Sequence, residues 1–154
     1  MANAFLESIQ MTSHNKQIYI VDDDESVCRA IKLLLITYGF AVDTFSSAEN
    51  FFSAVPNGAA GCLILDIHLQ GMDGWEAQQK LFQTKSQRPV IIITADKNED
   101  FSEQAIKAGA VGFLQKPFND RALVDLVNVA LTGKSGTNIE GSNGAGTDKK
   151  RYPA

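Results

Sequence analysis

Short apolar runs and stretches of helical period alternate along residues 17–132. Five runs rich in β-branched and aliphatic residues, 17–21, 41–45, 62–65, 90–94 and 112–115, predict strands. The first, third and fourth are continuous rather than alternating, which predicts strands covered on both faces by helices. The second is more mixed, which places it nearer an edge.

Between them, residues 26–38 carry Val27, Ile31, Leu34, Leu35 and Tyr38 on one helical face, with Gly39 as the stop. A second helix is predicted from Ser46, which stands in capping-box spacing with Glu49 ahead of Phe51, Phe52 and Val55. Further helices are predicted over 74–84, over 99–108 with Gly109 closing it, and from just after Asn119 to residue 132. A βα unit repeated five times predicts a single doubly wound α/β domain with a five-stranded parallel sheet. Parallel neighbours need crossover connections, and these are right-handed. In such a sheet ligands bind beyond the carboxyl ends of the strands, where strand order reverses.

The domain is thus expected over 17–132, with residues 1–16 as an N-terminal extension. Residues 133–154, rich in Gly, Ser, Thr and Asn, are expected to be a flexible tail or a truncated linker. The 154 residues, 44% hydrophobic and 21% charged, suit one soluble domain. A net charge of -4 gives no basic face for a nucleic-acid backbone, so direct nucleic-acid binding by this segment is not expected. No apolar run approaches the ~20 residues of a membrane span and the first residues lack a signal-peptide pattern, so the expected address is cytoplasmic, away from membranes. Cys28 and Cys62 sit among aliphatic residues outside any CxxC or Cys/His cluster, which reads as core packing rather than a disulfide or zinc site.

The chemistry collects at the strand ends. Asp22, Asp23, Asp24 and Glu25 follow the first strand, Asp66 the third, Thr94 ends the fourth, and Lys116-Pro117 follows the fifth. Carboxylates gathered at one sheet edge repel, which calls for a cation, and few carboxylates with completing waters suit magnesium. The DDDE run also reads as a solvated helix N-terminus. Asp66, a lone carboxylate at the lip of an apolar strand, reads either as a turn residue or as a nucleophile that forms an acyl phosphate. In the second reading Thr94 donates a hydrogen bond to the phosphoryl group, Lys116 supplies positive charge, and the proline after it is a candidate cis residue. Trp75 reads first as packing at a helix start. Phe101 packs the fourth helix or lies on its exposed face.

These residues resemble the receiver domain of bacterial two-component response regulators. The stretches IYIVDDDESV, GFAVDTFSSAENFF, GCLILDIHLQGMDG, PVIIITA and KAGAVGFLQKPF carry the likeness, the second and third with the FixJ-like class. The resemblance implies a CheY-like, flavodoxin-like fold and Asp66 as phosphoacceptor. It implies Mg2+ held by Asp22, Asp23, Asp66 and the backbone carbonyl of His68, with Asp23 the direct ligand of the acidic pair. It further implies Thr94 as switch residue, Lys116 as phosphate-binding lysine and Phe113 as the aromatic that rotates with Thr94. Asp96 corresponds to a position that influences how water reaches the acyl phosphate. Leu69-Gln70 stand where receivers commonly have Met-Pro, so this chain lacks a fixed φ in the loop bearing His68.

The implied function is a switch that takes a phosphoryl group from a sensor histidine kinase or a histidine phosphotransfer protein and alters the face of its fourth helix, fifth strand and fifth helix. The altered face is expected to act by self-association or by binding another protein, with a weak phosphorylation-dependent homodimer favoured over a stable constitutive one. FixJ-like regulators commonly carry a C-terminal DNA-binding domain, which the residues after 132 are too few and too polar to form. Two rivals are a magnesium-dependent phosphatase with an Asp nucleophile and a receiver-like module that is not phosphorylated. The first usually has its nucleophile in a DxD motif on the first strand, whereas Asp66 follows the third.

Overall fold

The computed structural model describes residues 16–133. The expected extension and tail therefore fall, apart from Lys16 and Gly133, outside the described residues. Within them the chain runs β1 (Gln17–Val21), α1 (Glu25–Thr37), β2 (Ala41–Phe45), α2 (Ala48–Ala54), β3 (Cys62–Asp66), α3 (Gly74–Gln83), β4 (Val90–Thr94), α4 (Asp100–Lys107), β5 (Gly112–Gln115) and α5 (Asp120–Thr132). All pairings are parallel, in the order β2-β1-β3-β4-β5. This is the (βα)5 arrangement expected, with β3 reaching one residue further to include Asp66.

Strand alternation supplies two cores. Ile18, Ile20, Cys62, Ile64, Ile91 and Ile93 pack with Cys28, Ile31 and Leu35 of α1 and Leu123, Val124 and Val127 of α5. Tyr19, Val21, Leu63, Leu65 and Ile92 pack on the other side with Phe51 of α2, Ala77 and Leu81 of α3 and Ala105 of α4. β3 and β4 are buried at every position, which explains their continuous apolar runs. β2 lies at an edge and exposes Ala41, Asp43 and Thr44, in keeping with its mixed composition. Both cysteines are free and buried, and desolvation pushes the thiols of Cys28 and Cys62 up to about 11 and about 12.

One helix start differs from expectation. The capping box read from Ser46 and Glu49 does not form: Ser47 caps α2 by accepting the Asn50 N–H at 3.0 Å. That one-residue shift makes Asn50 the third helical residue, so Glu49 no longer stands where it can close on the cap. Its Oε2 instead accepts the Met72 N–H at 2.9 Å. A capping box forms at α3, where Asp73 accepts the Glu76 N–H and Glu76 accepts the Asp73 N–H.

β1 leads outward to β2, whereas β3 leads to β4 and β5 on the opposite side. Strand order thus reverses between β1 and β3, and the crevice lies beyond their carboxyl ends.

Candidate functional site

The acidic run after β1 divides by role. Asp22 is 1% exposed, accepts the Asp24 N–H at Oδ1 (2.9 Å) and the Lys116 Nζ–H at Oδ2 (2.7 Å). Asp23 is exposed. Asp24 caps α1 through the N–H groups of Ser26 and Val27, and Glu25 lies in the first turn. The run therefore divides between two places: Asp22 and Asp23 join the crevice while Asp24 and Glu25 serve the helix end.

Asp66 ends β3 with its side chain buried. Its Oδ1 accepts the His68 N–H at 3.2 Å and its Oδ2 the Lys116 ammonium at 3.3 Å. Burial, then the neighbouring charge of Asp22, push the Asp66 carboxyl up to about 6 against the pull of Lys116 and the His68 N–H. Burial alone would lower Lys116, yet its hydrogen bond and charge contacts with Asp22 and Asp66 outweigh that and hold the ammonium above its ordinary value. One ammonium thus stands against two buried carboxylates, which leaves negative charge in excess.

α3 begins hard against this site. A Cβ on Gly74 would lie 2.4 Å from the Asp66 carbonyl oxygen and 2.6 Å from Ile67 Cα, so glycine is required by close backbone approach. Thr94, with no exposed surface, accepts the Asp96 N–H at Oγ1 (3.0 Å). The peptide after Lys116 is cis, and the Lys116 N–H donates to the Thr94 carbonyl at 2.7 Å. Phe113 is half-buried against the core that also receives Trp75 and Phe101.

The sequence-predicted residues are thereby brought together: Asp22, Asp66 and Lys116 in direct contact, Asp23 beside them, and Thr94 bonded through its carbonyl to the Lys116 backbone. Three contacts around these residues were not anticipated. His68 Nε2 lies 3.3 Å from Asp96 Oδ2, joining the loops after β3 and β4. Trp75 meets Phe101 edge-on at 5.8 Å, and Phe101 lies 6.1 Å from the His68 ring, so both aromatics pack where α3 and α4 begin.

One carboxylate oxygen each from Asp22, Asp23 and Asp66 fall within 4.8 Å of one another. One small cation bridges oxygens at such separations, and all-oxygen donors with excess negative charge suit Mg2+. The residues present fit the ion.

The same region matches a family model described as the response regulator receiver domain, over residues 18–128. The chain belongs to the response regulator receiver family. It is similar to the response regulator protein TodT of Pseudomonas putida, 39% identical over 121 residues, covering 79% of this chain and 53% of TodT. The transcriptional regulatory protein FixJ of Bradyrhizobium diazoefficiens is 34% identical over 114 residues, covering 74% of this chain and 56% of FixJ. The crystal structure of a response regulator receiver protein from Burkholderia phymatum is 41% identical, with a TM-score of 0.64, over 76% of this chain and 94% of that one. The chain thus spans about half the length of the curated relatives it matches. The FixJ-like character and the CheY-like, flavodoxin-like fold read from the sequence agree with these likenesses. Among the described residues, no helix of this receiver is long and apolar enough to cross a membrane.

Proposed function

We propose that this receiver accepts a phosphoryl group on Asp66 from a sensor histidine kinase or a histidine phosphotransfer protein in the cytoplasm. The observation that carries the reading is the Asp66 carboxylate at the carboxyl end of β3, 3.3 Å from Lys116 Nζ and clustered with Asp22 and Asp23. A carboxylate oxygen of Asp66 attacks phosphorus, the O–P bond forms, the N–P bond of the donor phosphohistidine breaks, and its electron pair stays with the imidazole. With its carboxyl at about 6, Asp66 is mostly ionised at pH 7 and able to attack. Lys116 pairs with the phosphoryl oxygens as they approach, and Thr94 closes on them with its hydroxyl proton. Asp22, Asp23, Asp66 and the His68 carbonyl would hold Mg2+, which supplies charge neutralisation for the acids and the incoming group.

Phosphorylation then shifts an existing equilibrium, because only the closed state gives the added oxygens a bond from Thr94 and an ion pair with Lys116. Phe113 turns inward, and the α4–β5–α5 face changes. α4 suits such movement: Ala105 is its one buried residue, and it has no side-chain cap at its start. The output is weak, phosphorylation-dependent self-association rather than a stable constitutive dimer.

The test is incubation with acetyl phosphate and Mg2+ followed by intact mass. A single phosphoryl addition is expected for the wild type and none for Asp66→Asn. Full labelling of Asp66→Asn would overturn the acceptor, whereas no labelling of the wild type would favour a receiver-like binding module. Sedimentation with and without beryllium fluoride reads the output. Unchanged mass together with unchanged amide exchange on α4–β5–α5 would remove the switch.

A further inference from the structure

The loop from β3 to α3 carries His68, the acceptor's neighbour, and nothing in its own sequence stiffens its crest. Gln70 is exposed, and Gly71 has φ +75, a conformation that glycine adopts freely. The base of the loop is closed by the Gly74 N–H on the Ile67 carbonyl at 2.9 Å, and Leu69 is buried in the core. At the crest, Met72 packs partly against the core, and its backbone is also held by a side chain from elsewhere in the chain. Glu49, in the first turn of α2, accepts the Met72 N–H at 2.9 Å across 23 residues of sequence. Its carboxylate also lies against Gly71, where a Cβ would come within 2.7 Å of Oε2. The Met72 N–H, and then Glu49's own N–H, hold its carboxyl below its ordinary value.

We propose that Glu49 is a positioning residue for the phosphorylation site. Its carboxylate, reaching from α2, clamps the Gly71–Met72 crest and so fixes the segment that presents the His68 carbonyl. It supplies from outside the loop the restraint that a proline at position 70 would supply from within. The inference rests on the reading of Asp22, Asp23, Asp66 and the His68 carbonyl as the Mg2+ site. It adds a residue from an element that contributes no ligand, acting through backbone held in place rather than through charge.

Two variants separate those causes. Glu49→Gln keeps an oxygen able to accept the Met72 N–H, whereas Glu49→Ala removes it. Both lose the charge, and both lose an acid from the first turn of α2. A purely electrostatic effect on the ion, or a loss confined to the helix end, therefore appears equally in the two.

The first measurement is amide exchange at Met72 in protein held in EDTA, which requires no metal. The second is Mg2+ affinity by isothermal titration. Removing a partner bonded directly to a metal ligand typically weakens metal binding ~10–100-fold, and Glu49 acts one step further away. Glu49→Ala is therefore expected to weaken Mg2+ about threefold to tenfold and to speed Met72 exchange, with Glu49→Gln close to wild type in both. Equal weakening in the two variants would replace the clamp by a charge effect and overturn the proposal, as would unchanged affinity in Glu49→Ala. If the wild type itself takes up no Mg2+, the metal reading falls and the inference with it. Wild-type binding that Glu49→Ala leaves intact overturns the inference alone.

Discussion

Placing two carboxylates against one ammonium in a buried crevice has a cost that a single substitution reveals. Asp66→Asn keeps the shape of the acceptor and a carbonyl oxygen for the His68 N–H while removing the charge beside Asp22. In metal-free protein the Asp66 carboxyl stands at about 6 against its usual 3.8. A shift of about two units corresponds to about 3 kcal/mol at pH 7, at ~1.4 kcal/mol per unit. Asn also gives up the 3.3 Å contact with Lys116, although the ammonium retains Asp22 at 2.7 Å. The expected net gain is about 1–3 kcal/mol in favour of Asp66→Asn.

The pH dependence fixes the cause. A carboxyl raised in the folded state binds its proton more tightly there than in the unfolded chain. Its contribution is therefore most favourable below pH 3.8 and declines as pH rises to about 6. The advantage of Asp66→Asn should be near zero at pH 4, grow through that window, and level off above it. Urea unfolding of both proteins in EDTA from pH 4 to 8 measures it. Asp66→Asn no more stable than wild type at pH 7.5, or a difference constant across the range, would refute the reasoning. Added Mg2+ should narrow the gap, because an ion at a hundredfold its dissociation constant stabilises the folded state by about 2.7 kcal/mol.

Lys116→Met should act in the opposite direction on metal-free protein, losing about 3 kcal/mol at pH 7 because Asp22 is left buried without its cation. Mg2+ should bind this variant more tightly by titration while acetyl phosphate labels it more slowly. Gly74→Ala should lose about 1–3 kcal/mol in urea unfolding and slow labelling at Asp66, since its Cβ meets the Asp66 carbonyl rather than a side chain able to turn away. Asp73→Ala removes the α3 capping box and should lose about 1 kcal/mol of stability by the same measurement.

The sheet and most of the crevice were legible because each depends on what a residue follows in sequence. An apolar run buried on both faces can end only at a rim, so Asp22, Asp66, Thr94 and Lys116 could be assigned to one edge from their positions alone. Contacts between loops have no such signal. His68 and Asp96 meet across 28 residues only because β3 and β4 are neighbours in register. The same limit governs α2, where Ser46 and Ser47 are adjacent and chemically equivalent caps. Burial of Ala48 and Phe51 against the core sets the helix rotation. With the cap at Ser47, Glu49 is carried from its own helix end to the crest of the β3–α3 loop. The one-residue shift that removes the expected capping box is therefore the shift that makes the contact with Met72. Local capping rules could not choose between the two outcomes, because the choice is made by the face that α2 buries.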